Sequence, residues 1–105
     1  MKIYGLKACD TCRKAAKALP GAAFVDIRAE GMEADLRARA FAQFGEALVN
    51  RRSTTWRGLS DEARAGDPLA LLAEHPALMK RPLIEDEGQL YLGWGKDVQA
   101  ALLGA

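Results

Sequence analysis

Cys9-Asp10-Thr11-Cys12 contains both cysteines of this 105-residue chain. The pair follows a short strand-like run, Ile3-Tyr4, and opens a helix, so Cys9 falls where backbone amides are unpaired and the helix dipole is positive. Both effects favour thiolate, as does the charge of the neighbouring Lys7. A thiolate there can attack an oxidised sulfur or an oxyanion centre, and a second thiol two residues further on can close a disulfide behind it. Cys12 also lies on the apolar face of its helix and fits equally well as a small buried residue. A zinc site would need about four ligands, and beyond the two thiols the chain offers only His75, beside a proline. No metal is expected.

The rest of the composition narrows the setting. Half the residues are apolar, enough for one core, which predicts a single domain over 1–105. Fifteen Lys and Arg against 14 Asp and Glu give no global field for nucleic acid or an anionic membrane. Any electropositive site must be local. Neither a signal-peptide core nor a run of about 18 apolar residues occurs, and the expectation is a soluble cytoplasmic protein, a monomer that touches neither membrane nor nucleic acid. In that reducing compartment a cysteine pair serves transient chemistry rather than a structural staple.

Alternating elements position the motif. Lys2 to Gly5 reads as a strand; Cys12, Ala15, Ala16 and Leu19 then share a helix face opposite Arg13, Lys14 and Lys17, and Pro20-Gly21 stops the helix. Ala23 to Ile27 is a second strand, parallel to the first by its spacing. Leu36, Ala40, Phe41, Phe44 and Leu48 line a longer helical segment, Asn50 to Trp56 reads as a loop, and Ser60 to Arg64 as one turn. Asp67-Pro68 starts a helix as N-cap and N1, with His75 at its C-terminal end and Pro76 stopping it. Pro82 to Glu85 and Gln89 to Leu92 flank the turn residues Asp86-Glu87-Gly88, and Val98, Ala101 and Leu102 mark a closing helix that ends at Gly104. This β-α-β unit, helical insertion at about 30–75, hairpin and final helix is the α/β order of a thioredoxin-like fold with CxxC after its first strand.

Three blocks carry a resemblance over essentially the whole chain. They are Ile3 to Ala15 around the cysteines, Leu48 to Leu59 with its Asn-Arg-Arg-Ser-Thr-Thr-Trp-Arg core, and His75 to Ile84. In this order they resemble the arsenate reductase (ArsC-type) family, which includes Spx-like regulators and YffB-like thiol reductases. The middle block is closest to the YffB-like branch, although Cys12 gives this chain a CxxC that many YffB-like chains lack. The resemblance implies that Cys9 is the nucleophile, Arg81 the anion-binding arginine and Pro82 a cis-proline facing the thiol. Asn50 stands where arsenate reductases place another arginine, with Arg51 and Arg52 beside it, and the segment around Gly93 lacks a third. Thr11 and Lys7 complete the expected substrate or anion site.

Each of these positions also has an ordinary reading. Arg81 fits a surface ion pair with Glu85 or Asp86, and Arg51, Arg52 and Arg57 fit a solvated loop face. Trp56 and Trp94 read as packing anchors. The expected function is a thiol-dependent reductase acting on a disulfide, a glutathione-linked group or an oxyanion, with Cys12 resolving the Cys9 adduct. It needs no bound cofactor, and glutathione with glutaredoxin, or thioredoxin, serves as external reductant. The alternatives are a Spx-like redox sensor that binds RNA polymerase and a catalytically silent interaction domain.

Overall fold

The computed structural model describes residues 1–104. Two units divide the chain, one built from Met1–Glu30 and Arg81–Ala105, the other from Gly31–Lys80.

The first unit is an α/β layer structure. Its sheet has the order β2-β1-β3-β4, formed by Lys2–Gly5 (β1), Ala23–Asp26 (β2), Leu83–Asp86 (β3) and Gln89–Leu92 (β4). β1 runs parallel to β2 and antiparallel to β3, and β3 runs antiparallel to β4. Register places Ile3 opposite Phe24 on one side and Ile84 on the other. Ile3 and Ile84 are fully buried and form a cluster with Leu19 and Val98, to which Phe24, Tyr91, Trp94 and Leu102 add their inner faces. The helix Asp10–Ala18 (α1) buries Cys12 and Ala15 and exposes Arg13, Lys14 and Lys17, as its apolar spacing requires.

The ends of these elements have local causes. β2 stops one residue before the predicted Ile27 because the Asp26 carboxylate turns back to accept from the amides of Arg28 and Ala29, at 3.0 and 3.3 Å. The β3–β4 connection is Glu87-Gly88, both at positive φ (51° and 80°), the backbone of a tight two-residue hairpin. β3 begins at Leu83 rather than the predicted Pro82, whose ring leaves no N–H for the ladder; the Pro82 carbonyl still accepts from Gly93 N at 2.8 Å. The last helix, Lys96–Leu103 (α6), is closed by Gly104 in the left-handed conformation.

The second unit is helical. The single long segment predicted through Leu48 is broken, because Gly45 turns to φ 59°, ending Ala34–Phe44 (α2) and starting a 3-10 turn over Gly45–Leu48. The predicted loop at Asn50–Trp56 contains the start of a one-turn helix, Thr54–Arg57 (α3). Its β-branched threonines disfavour helix, but Ser53 caps it by accepting from Trp56 N at 3.1 Å. Asp61–Arg64 (α4) is capped in the same way by Ser60, and Pro68–Glu74 (α5) by Asp67 with Pro68 at its first position. Arg64 ties α4 to α3, its Nε and Nη2 donating to the carbonyls of Trp56 and Arg57 at 3.1 and 2.8 Å. Leu36, Ala40, Leu48, Leu71, Leu72 and Leu78 are the buried side chains of this unit, with Met79 and Val49 joined in an isolated antiparallel bridge. No helix among the described residues is long and apolar enough to cross a membrane.

Candidate active site

The loop between β1 and α1 delivers Cys9 to the first position outside the helix. Its backbone is extended (φ −82°, ψ 119°), its amide donates to Leu6 O at 3.0 Å, and its carbonyl accepts the amide of Arg13 at 3.0 Å. Arg13 reaches back from α1 and donates from Nε to Lys7 O at 2.8 Å, which pins the loop to the helix it precedes. Cys9 is therefore the N-cap residue, half-buried, and Cys12 one turn inside is fully buried. Both thiols are free.

Their environments push the two thiols apart. For Cys9, burial is the largest single effect and raises the pKa, but several groups together outweigh it and the thiol ends below its usual range. These are the Cys12 thiol, which donates toward the Cys9 sulfur, the Cys12 backbone amide, and the Arg81 guanidinium acting by hydrogen bond and by charge. The Cys9 sulfur makes no cap hydrogen bond of regular geometry, so the Cys12 amide acts as a nearby dipole. For Cys12, burial again comes first and is decisive. Leu6's backbone and the charge of Arg81 lower the pKa, the Cys9 sulfur raises it, and the thiol is pushed up to about 12. The pair is biased in opposite directions, Cys9 toward thiolate and Cys12 toward the protonated donor.

Arg81 arrives at this site from the far end of the sequence, on the approach to β3. The Arg81–Pro82 peptide is cis, and Pro82 is among the most buried residues of the chain. Lys7, two residues before Cys9, and Thr11, between the two cysteines, are exposed. The structure thus gathers Cys9, Cys12 and Arg81 within the first unit.

Asn50, Arg51 and Arg52 lie in the second unit, where each has a local role. The Asn50 side-chain carbonyl accepts from Arg52 N at 3.0 Å, and the Arg52 carbonyl accepts from Arg57 at 2.7 Å. Arg51 pairs with Glu46 at 3.0 Å and lies 5.6 Å from the centre of the Trp56 ring, with Arg64 6.0 Å from the same ring. A cavity of about 280 Å³ opens beside Trp56, lined also by Val49, Pro68 and Leu71. The nitrogens of Arg64 are already committed to Trp56 O, Arg57 O and Asp61, so this cavity is braced by its arginine. Among the described residues, no group of three or more His, Cys, Asp or Glu converges as a metal site would require.

One residue at the site has no motif to announce it. Gly5, the last residue of β1, is buried directly under Cys12: a methyl group built on it would sit 2.5 Å from the Cys12 Sγ and 3.2 Å from its Cβ. The sequence signal is only a glycine where a strand favours a larger residue.

A parallel β-α-β start, an antiparallel hairpin and a thiol pair at the β1–α1 junction define the thioredoxin-like class of α/β proteins. Within it, the ArsC family model matches residues 4–102, and the chain belongs to that family. An uncharacterised protein of Haemophilus influenzae is 39% identical over 94% of this chain and 96% of its own. The solved structure of a protein named YFFB superposes with a TM-score of 0.85 at 33% identity, covering 95% of this chain and 96% of that one. An arsenate reductase (ArsC) related protein from Brucella melitensis gives 0.71 at 32% identity, over 99% and 94% of the two chains. The family is one of thiol-dependent oxidoreductase type.

Proposed function

We propose that the protein is a thiol reductase with Cys9 as nucleophile and Cys12 as resolving thiol, acting on a disulfide or a glutathione-linked thiol. The observation that carries this reading is the opposite bias on the two thiols: Cys9 is held toward thiolate by Cys12 and Arg81, while Cys12 is buried and keeps its proton. The Cys9 thiolate attacks one sulfur of the substrate disulfide, a new S–S bond forms, and the other half leaves as thiolate. Once Cys9 is in a mixed disulfide its sulfur no longer carries the charge that opposes ionisation of Cys12. Cys12 then gives up its proton to solvent and attacks the Cys9 sulfur; the Cys9–Cys12 disulfide forms as the Cys9–substrate bond breaks, and the second half of the substrate leaves as a thiolate that takes a proton back from solvent. Two electrons have passed to the substrate. A dithiol of the thioredoxin or glutaredoxin type, or two molecules of glutathione, returns them to the protein and becomes the disulfide.

Arg81 supports an anionic group beside the sulfur, which suits a substrate carrying a carboxylate near its disulfide. Trapping tests the reading: Cys12→Ser should hold a substrate on Cys9 as a stable mixed disulfide, identifiable by mass spectrometry. If no adduct forms on Cys9, or the same adduct survives Cys9→Ser, the reductase reading is wrong. Recovery of an RNA polymerase subunit would favour a regulator instead.

A further inference from the structure

A glycine inside a strand weakens it, having no side chain to pack and more freedom to lose on folding. Gly5 occupies such a place. It closes β1, pairs with Asp26 across to β2, and its carbonyl accepts from Ile27 N at 3.0 Å. Its backbone does not require glycine, because the positive-φ glycines of the chain are Gly31, Gly45, Gly88, Gly93 and Gly104. Space is what Gly5 supplies. The nearest obstacle to a side chain there is the Cys12 Sγ at 2.5 Å, then the Cys12 Cβ at 3.2 Å, with Phe24 at an ordinary 3.6 Å. Cys12 itself is fully buried, so its sulfur cannot swing out into solvent to make room.

We propose that Gly5 is a positioning residue of the thiol pair: by lacking a side chain it seats the Cys12 sulfur against β1, in the place from which Cys12 donates to Cys9. This rests on the reading of Cys9 as the nucleophile and adds a residue that acts on Cys9 only through Cys12. A methyl group at position 5 must turn the Cys12 Sγ aside or lift the start of α1. Either movement takes the donor from Cys9.

The test is a double-mutant cycle on the full chain with Gly5→Ala, Cys12→Ala and their combination. The readout is the pH at which Cys9 becomes half-alkylatable by iodoacetamide, located on Cys9 by peptide mass spectrometry. Gly5→Ala should raise that midpoint by about one pH unit, the effect of losing one hydrogen bond to a thiolate. Cys12→Ala should raise it as well, and adding Gly5→Ala to Cys12→Ala should shift it no further. Equal shifts from Gly5→Ala in both backgrounds, or none in wild-type background, would overturn the proposal. Thermal unfolding gives an independent arm. Gly5→Ala should lower the melting midpoint, or prevent folding, and the deletion of the Cys12 sulfur in the double variant should restore it; a double variant as damaged as Gly5→Ala alone would also overturn the proposal. A wild-type midpoint equal to that of free cysteine would instead sink the reading of Cys9, with the Gly5–Cys12 coupling still decided by the unfolding arm.

Discussion

Cys12 sits one helical turn inside Cys9 and donates its thiol proton toward the Cys9 sulfur. Two cysteines of one short motif therefore differ in acidity because one is half-buried at the helix entrance beside Arg81, while the other is sealed beneath it. The donor that stabilises the thiolate is also the nucleophile next in line, so the same contact serves both stages of the proposed cycle.

Iodoacetamide should modify Cys9 and spare Cys12 at neutral pH. The Cys9 rate should climb with pH through a midpoint below the usual cysteine range, because its thiol is held low, and flatten above it. Peptide mapping across a pH series checks this. Preferential labelling of Cys12 would reverse the assignment of the nucleophile.

Removing the guanidinium should cost the site much of its acidity. Arg81→Ala is expected to raise the Cys9 midpoint by about one pH unit and to slow reaction with anionic disulfides more than with neutral ones. Arg81→Lys should recover part of the loss, keeping the charge but not the planar fork. Identical rates for wild type and Arg81→Ala on both substrate types would leave Arg81 outside the site.

Oxidation should join Cys9 to Cys12 with the loss of two hydrogens, seen by intact mass. The two positions are one helical turn apart, within the span a disulfide bridges with little backbone movement. A stable glutathione adduct on Cys9 beside a free Cys12 would replace the resolving step with a monothiol mechanism.

Alkaline pH should reveal the buried thiol. The folded protein holds Cys12 at about 12 against a value of 9.0 for the free group, so it binds the proton more tightly than the unfolded chain does. The stabilisation this gives is complete below pH 9 and is lost as pH rises from there toward 12. Urea titrations of wild type and Cys12→Ala should accordingly show wild type losing more stability over that interval. Parallel losses in the two proteins would mean that Cys12 is open to solvent.

Arsenate should be reduced poorly beside a glutathione mixed disulfide. Holding a tetrahedral oxyanion over a thiolate needs several fixed donors, and at the positions where the arsenate-reducing pattern has arginine this chain places Asn50 and, nearby, Gly93. Side-by-side assays with glutathione plus glutaredoxin and with thioredoxin decide the matter. Robust arsenate turnover that vanishes in Cys9→Ser would defeat this expectation.

Much of this was legible before any coordinates. Cys12, Ala15 and Leu19 recur at helical spacing and are the buried face of their helix; Asp67-Pro68 and Glu87-Gly88 mark a cap and a turn that form where they stand. The family was legible in the three sequence blocks. What escaped depends on contacts remote in sequence or on local signals that conflict. Thr54-Thr55 argue against helix while Ser53 argues for it, and the cap wins for one turn. The partners of the Cys9 thiol follow from packing: Arg81 is far away along the chain, and Gly5 matters only because α1 settles on it.

The first unit is made from both ends of the chain, and the central pairing of its sheet sets Lys2 opposite Glu85. On the ribosome, β1 and the thiols are synthesised early, but β3 and Arg81 emerge only after the whole helical unit has been made. Closing so long a loop is the slow, entropically expensive part of folding such a topology. Until it closes, Cys12 can already pack on Gly5 of β1, but Cys9 has no guanidinium beside it. Cys9 thus comes under the guanidinium only when β3 pairs with β1, so the bias that marks it as the nucleophile belongs to the closed sheet and not to the CxxC segment alone.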